Sequence, residues 1–415
     1  MRRIVLLLSA LSLGVSAAEA QITLTAYRDS VAGYDWRVKN AAVEVDRNYE
    51  IMRREYTSFL PRVSASGSFA KTFHHIGDNE LWSFSMQPQL VQTVYGGGGV
   101  RAAYRQAESG YEGALFDEEY TRLEVRYMAD YAYWSVSAQA LFLRAVEEYV
   151  NIIESLYGVV ERRFDEGYIA KSDLLQVETR LSEARFDLIT VRRNYDEAVH
   201  AFNILRGVSG DERVSLSQSI VDSIAMPERV PLSAIAARRP DLLSAETAVR
   251  TARYGVERTR ASYNPQLTVG VGGSWQTYVP NATGRTYLDA ALTVGLSVPI
   301  FHWGERRHAV AAATADVRRS INATGQIYDG IAREEADGWS ALATSYSQVQ
   351  SSMYNLKIAG ENLSISTYSY KEGQATVLDV LQAQISWLQI YTNAITARYN
   401  YAVAVSAYER ITAAE

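Results

Sequence analysis

Cysteine is absent from the chain, so disulfides, thiolate metal sites and lipid attachment at an N-terminal cysteine are excluded. Proline is scarce and clustered. All eight prolines fall in two windows, 61–88 and 227–299, and none lies between Pro88 and Pro227 or after Pro299. Proline breaks helix interiors, so two very long helical arms are permitted, and the prolines mark where the chain does something else. Beyond residue 15 there is no apolar run long enough for a transmembrane helix. Any membrane role must therefore use β-strands. Basic charge is also short. The net charge is −6, and setting aside residues 1–20, which hold two Arg and one Glu, takes it to −7. That balance argues against nucleic acid as a partner.

Catalytic and metal chemistry are equally thin. Of the five histidines only His74 and His75 are close together, in a polar loop that reads as solvated. No Ser, His and Asp arrangement has recognisable local context. Glu118-Glu119 and Glu334-Glu335 are adjacent on helical stretches, where neighbours point apart. Gly96 to Gly99 precedes a helical pattern, but no Lys-Ser/Thr follows to make a phosphate loop. We expect no catalytic site, no cofactor and no metal.

What is present begins with an address. Met1-Arg2-Arg3, an apolar run from Ile4 to Val15 and Ala18-Glu19-Ala20 read as a secretory signal peptide over residues 1–20, cut before Gln21.

The remainder is organised as two tandem halves. Phe164-Asp165-Glu166-Gly167, followed after five residues by Asp173-Leu174-Leu175-Gln176, returns without a gap 206 positions later. There it reads Tyr370-Lys371-Glu372-Gly373 and then Asp379-Val380-Leu381-Gln382. Each copy reads as a helix reversal. The glycine ends one helix in a left-handed conformation. Ser172-Asp173 and Thr376 to Asp379 supply capping oxygens and negative charge to the next. Residues 101–164 and 305–370 read as uninterrupted helices, each about 96 Å long. The returning helices carry heptads. Leu174, Leu181, Leu188, Tyr195 and Phe202 match Val380, Trp387, Ala394, Tyr401 and Tyr408, with a complementary seam beside each, which means coiled-coil packing.

At the opposite end of each half the period switches to two. Val63, Ala65, Gly67 and Phe69 alternate with serines, and Phe84, Met86 and Leu90 with Ser and Gln. Leu267, Val269 and Val271, then Leu292, Val294 and Leu296, alternate with Gly, Ser and Thr. Strands of about ten residues cross a bilayer when tilted. Trp82, Trp275, Tyr278 and Tyr287 near the loops, and Tyr95, Phe301 and Trp303 at the other end, fall where barrel girdles do. A soluble antiparallel sheet with one buried face is the alternative. Four strands cannot close a membrane barrel, for which about eight is the minimum, and open edges are not tolerated in lipid. If the hairpins are in a membrane, several chains share one barrel.

The domain plan is a first repeat over 21–207 (a helix from Gln21 to Ser58, hairpin 62–95, long helix 101–164, tip 165–173, return helix 174–206). An equatorial segment over 208–239 reads as a collar of short strands and turns. The second repeat covers 240–415 (a helix, hairpin 266–301, long helix 305–370, tip 371–379, return helix 380–412). Gly96, Gly97, Gly98 and Gly304 mark the strand-to-helix bends.

Several motifs stand in order in the second half: Ala237-Arg238-Arg239-Pro240-Asp241-Leu242 with Ala245-Glu246, Ser297-Val298-Pro299-Ile300-Phe301 with Gly304, Glu372-Gly373 with Leu378 to Ala383, and Ala397 to Tyr401. On these the chain resembles the TolC-like outer-membrane efflux proteins. The resemblance implies a mostly α fold with a small β part. Three chains would share a 12-stranded barrel in the outer membrane and a coiled-coil α-helical tunnel in the periplasm. It implies a channel or exit duct for efflux or type I secretion, with a periplasmic adaptor and an inner-membrane pump as partners. Many relatives are lipidated at an N-terminal cysteine; with none here, barrel insertion must suffice. It makes Asp379 a candidate acidic ring at the tip. The family's second acidic position is Gln382 here, and Asp173 is the counterpart in the first copy. Arg163, Gly167, Tyr168, Lys371, Gly373 and Gln374 are the exposed candidates for adaptor docking. A soluble periplasmic coiled-coil scaffold or adaptor is the alternative function.

Overall fold

The computed structural model describes residues 21–71, 73, 82–277 and 287–414. The expected signal peptide over residues 1–20, the His74-His75 loop, Tyr278 and the Pro280 to Gly284 loop lie outside the described residues. In chain order, α1 (Leu24–Tyr34) and α2 (Trp36–Tyr56) precede the hairpin β1 (Arg62–Lys71) and β2 (Trp82–Tyr95). The long α3 (Gly99–Asp165) and returning α4 (Lys171–Leu205) close the first repeat. A short α5 (Leu232–Ala236) and α6 (Pro240–Ala261) lead to β3 (Gln266–Gln276) and β4 (Tyr287–Ser297). The second long helix α7 (Glu305–Lys371) and α8 (Val377–Thr412) follow. Each long helix has 67 residues, with no proline inside. None of the described helices is long and apolar enough to cross a membrane.

The chain divides into two units, and α3 and α7 contribute to both. The first holds residues up to Asp35, Val125–Glu228 and Trp339–Tyr408. Its core is a four-helix coiled coil near the two tips, where Ile153 and Val160 of α3, Val177 of α4, Leu363 of α7 and Val380 of α8 are buried together. A separate cluster sets Leu342 against Tyr401, Val405 and Tyr408. Tyr27 of α1 stacks on Phe202 of α4 at 3.8 Å, and its hydroxyl donates to the Phe202 carbonyl.

The second unit holds Trp36–Glu124, Arg229–Gly338 and the chain from Glu409. Its sheet is antiparallel throughout, in the order β1-β2-β3-β4. The register keeps one parity across all four strands: Phe69 faces Phe84, Leu90 faces Val271, and Val271 faces Leu292. One face is therefore apolar from edge to edge, and the other carries Ser, Thr, Gln and Gly. That apolar face is not covered by the chain. All of β1 is exposed, and so are Met86, Leu90, Val271, Leu292 and Val294. The buried face of a soluble sheet is not what these strands build.

Several boundaries differ from the expected ones. The helix expected from Gln21 to Ser58 is two helices, because α1 ends at Tyr34, next to Gly33, with Asp35 extended at its C-cap. The returning helices begin at Lys171 and Val377, three residues before 174 and 380. The glycine turn completes each reversal within five residues and leaves the chain free to start the next helix. Ser172 and Asp173 consequently lie inside the first turn of α4. The N-cap is Ala170, which offers no side-chain oxygen, so the expected capping by Ser172-Asp173 is not made. The collar expected over 208–239 contains turns, the short α5 and one parallel bridge between Ile22 and Leu216, rather than paired short strands.

Candidate functional site

Both tips end their long helix in the same way. At the first, the Gly167 N–H donates to the Phe164 carbonyl (2.9 Å) and the Tyr168 N–H to that of Arg163 (2.9 Å), with Gly167 at φ 79°. At the second, Gly373 donates to Tyr370 (3.1 Å) and Gln374 to Ser369 (2.8 Å), with Gly373 at φ 74°. These are paired 5→2 and 6→1 bonds around a left-handed residue, which satisfy the last carbonyls of the helix. A side chain at that φ is strained.

The starts of the next helices differ. Thr376 caps α8: its hydroxyl (2.7 Å) and its N–H (2.8 Å) both donate to Oδ2 of Asp379, and the Asp379 N–H returns toward the Thr376 hydroxyl at 3.3 Å. This is a reciprocal capping box. The Thr376 hydroxyl first, and its backbone N–H second, hold the Asp379 carboxyl below the usual carboxylate range. The position equivalent to Thr376 in the first copy is Ala170, so Asp173 has no such partner there and is half-buried.

The two tips are also tied together. Arg163, at the end of α3, donates to the carbonyls of Tyr370 (3.2 Å) and Lys371 (2.8 Å) at the end of α7. Its guanidinium lies 4.8 Å from the centre of the Tyr370 ring. Arg163 thus neutralises the negative end of α7. It was expected as an exposed docking residue; it is half-buried and occupied by these contacts. Gly167, Tyr168, Lys371, Gly373, Gln374, Asp379 and Gln382 are exposed. The structure therefore brings Asp379, Gln382 and the docking candidates to one end of the first unit, on adjacent turns and helix starts.

In the second unit, Gly97 (φ 62°), Gly98 (φ 91°) and Gly304 (φ 84°) are left-handed at the bends into α3 and α7, and Gly96 precedes them. Gly97 also permits close approach: a Cβ there would lie 2.6 Å from the Asn264 Cβ, and Asn264 donates to the Gly97 carbonyl (2.9 Å).

Residues 35–207 and 232–414 match the family model described as outer membrane efflux protein. The chain belongs to that family. Among curated relatives it is similar to the alkaline protease secretion protein AprF of Pseudomonas aeruginosa, 25% identical over 91% of this chain and 79% of that one. It is 21% identical to the outer membrane protein TolC of Escherichia coli, over 88% of this chain and 77% of TolC. With the pyoverdine export outer membrane protein OpmQ of Pseudomonas putida it shares 24% identity over 70% of this chain, and the match spans only 62% of OpmQ. Among solved structures, CusC superposes with a TM-score of 0.84 at 16% identity, over 95% of this chain and 92% of CusC. The open-state MtrE channel of Neisseria gonorrhoeae gives 0.78 at 18%, over 94% and 88%. These two likenesses establish the TolC-like fold.

The contacts of Arg239 give the Arg-Pro-Asp motif a structural role. Arg239 is buried, forms a two-bond pair with Asp241 (2.8 Å each), and reaches Glu334 (3.0 Å) and the Ile411 carbonyl (3.2 Å). It pins the start of α6 to α7 and to the end of α8. The signal was an arginine directly before Pro-Asp at a helix start. Among the described residues, no group of three or more His, Asp or Glu side chains is placed to hold a metal.

Proposed function

We propose that the protein is the outer-membrane exit duct of a tripartite efflux or type I secretion system, assembled as a homotrimer. The observation that carries the proposal is the four-stranded sheet. Its apolar face is exposed and its outer strands β1 and β4 each pair on one side only. In lipid such edges must be closed, and three copies supply twelve strands, above the minimum of about eight. The first unit supports the same reading, because α4 leaves Phe186 and Ile189 exposed at 70% and 71% where a neighbouring chain's helix would cover them. The names of AprF and OpmQ, which describe secretion and export, agree with passage of cargo through the duct.

In this reading the tip docks a periplasmic adaptor, which joins the duct to an inner-membrane pump. Gly167 and Gly373 allow a partner helix close approach, and Tyr168, Lys371 and Gln374 are the exposed side chains beside them. Asp379, repeated three times about one axis, makes a ring of carboxylates that favours cations over anions. The duct carries transport and no bond-making chemistry. Cell fractionation tests the proposal: heat-modifiable trimers in the outer-membrane fraction are expected, and a freely soluble protein overturns it in favour of a periplasmic scaffold.

A further inference from the structure

The register of the sheet brings all four strand–helix junctions to one edge. Arg62 opposite Val91, Tyr95 opposite Leu267 and Gln266 opposite Ser297 end the ladders together. Side chains tie these junctions to one another. Asn264 bonds to Gly97, the Tyr263 hydroxyl donates to Glu305 at 2.8 Å, and Tyr104 packs against Tyr56 and Phe59.

The charge at this edge runs against the rest of the molecule. Segments 53–62, 95–108, 256–265 and 297–308 hold nine arginines and four glutamates, in a chain whose net charge is −6. Arginines in the last turns of α2 and α6 are explained by the helix dipole. Those at the first turns of α3 and α7 are not. Arg101, Arg306 and Arg307 are exposed at helix N-termini, where the dipole disfavours positive charge. Among the described residues none of the three has a carboxylate partner, and the nearby Glu305 is engaged by Tyr263. Three unpaired cations at electrostatically unfavourable positions call for an external anion.

Directly before Arg306 and Arg307 in the chain the segment is aromatic. Phe301 and Trp303 are 67% and 89% exposed, with ring centroids 4.9 Å apart, and Ile300 is exposed next to them. Trp303 adopts φ 48°, a strained conformation for a bulky residue, and still projects its indole outward. The patch continues the exposed apolar face of the sheet. An apolar face, then an aromatic pair, then unpaired arginines is the profile of a membrane from hydrocarbon to headgroup.

We propose that the strand–helix junctions form a collar that binds anionic phospholipid headgroups, in the leaflet facing the helices, through Arg101, Arg306 and Arg307 with Phe301 and Trp303 as interfacial anchors. The collar rests on the membrane reading of the sheet. Lipid phosphates supply the negative charge that the first turn of α3 lacks and an anion for Arg306 and Arg307 of α7, and the preference for them weakens at high salt.

The test uses the purified full-length protein with dioleoyl phosphatidylglycerol or dioleoyl phosphatidylcholine, read by native mass spectrometry and by flotation with vesicles of each lipid. The wild type should retain phosphatidylglycerol in preference to phosphatidylcholine. R101Q/R306Q/R307Q should weaken that retention by roughly fivefold per arginine, about a hundredfold in all. R101K/R306K/R307K should keep the preference, which separates lost charge from lost folding. Equal retention of the two lipids by the wild type, or undiminished phosphatidylglycerol binding by the glutamine variant, overturns the collar. So does full displacement of the lipid by inorganic phosphate alone, which identifies a phosphate-ion site instead. Flotation with pure phosphatidylcholine vesicles separates the two readings. Protein that does not float overturns the duct itself, whereas protein that floats without a lipid preference overturns only the collar.

Discussion

The two returning helices descend from one repeat, carry the same heptads and are used differently. α8 buries its seam along its length, with Val380, Trp387, Ala394, Tyr401 and Tyr408 all buried, and it also buries Ile395, Ala402 and Val405. α4 buries Val177, Leu181 and Ala184 near the tip and Phe202 near its end, while Leu188, Val191 and Tyr195 between them are only half-buried. The sharpest contrast is an isoleucine at one repeat position. Ile395 is 3% exposed on α8, and Ile189 is 71% exposed on α4. A heptad fixes which face of a helix packs; it does not say whether the opposite face also has a neighbour.

The largest expected effect breaks that contrast. Ile395→Ala should destabilise the fold by about 2–5 kcal/mol. Ile189→Ala should change the stability of the dissociated chain by less than about 0.5 kcal/mol, yet lower the temperature at which the proposed trimer dissociates. Denaturant unfolding and heat modification on gels read the two effects. Equal costs at both positions in the dissociated chain would erase the distinction between an interior and a surface helix.

The ends of the same two helices differ at a second repeat position. α4 stops at Gly207, φ 78°, and a Cβ there would sit 2.3 Å from the Tyr34 ring. α8 stops at Ala413, φ 47°, with the same hydrogen-bond pair, from Ala413 to Arg410 and from Ala414 to Glu409. Gly207→Ala should cost more than the roughly 1–2 kcal/mol of a left-handed L-residue, because Tyr34 must also move. Ala413→Gly should gain about 1 kcal/mol by relieving that strain. Thermal unfolding of the pair checks both signs, and a loss of stability in Ala413→Gly contradicts the strain argument.

Between the tips one asymmetry comes from a single arginine. Arg163 holds two carbonyls of α7, whereas its repeat counterpart Ser369 is not a cation and makes no such clamp. Arg163→Gln should cost about 1–2 kcal/mol, towards the low end for charged hydrogen bonds because the site is partly solvated. It should also speed hydrogen exchange at Gly373, whose N–H shares the Tyr370 carbonyl. Ser369→Ala should leave exchange at Gly167 unchanged. Equal protection at Gly373 in wild type and Arg163→Gln removes the clamp.

Much of this organisation is legible in the sequence because its signals are local. The glycines of the tips specify left-handed turns, the two-residue period specifies strands, and the absence of proline permits 67-residue helices. What was not legible depends on contacts between distant segments. The break between α1 and α2 has no proline, and its setting involves Tyr34 against Gly207, far along the chain. Arg163 reads as an exposed tip residue until α7 is placed beside it. Ala170 was missed as a helix start because capping propensity favours Ser172 and Asp173, yet the turn geometry starts the helix earlier.

The smallest expected effect on stability concerns Asp379, and it separates the observed cap from the proposed selectivity ring. As a capping partner Asp379 needs an oxygen that accepts from Thr376; as a selectivity ring it needs a negative charge. Its carboxyl is held below the usual range by the Thr376 hydroxyl and N–H. The cap's ionic contribution is therefore fully present above the unfolded value near 3.9 and fades as pH falls through the lower folded value. Asp379→Asn keeps an accepting oxygen and loses the charge, whereas Thr376→Ala keeps the charge and the backbone N–H bond to it but loses the two bonds of the Thr376 hydroxyl. Single-channel reversal potentials across a salt gradient should show reduced cation selectivity in Asp379→Asn and unchanged selectivity in Thr376→Ala. Exchange at the first turn of α8 should rise in Thr376→Ala and much less in Asp379→Asn. Ala170→Thr should install the missing cap in the first copy and slow exchange at the start of α4, without altering selectivity. Should Asp379→Asn leave selectivity as it is, the carboxylate serves α8 alone, as the cap that the first tip lacks.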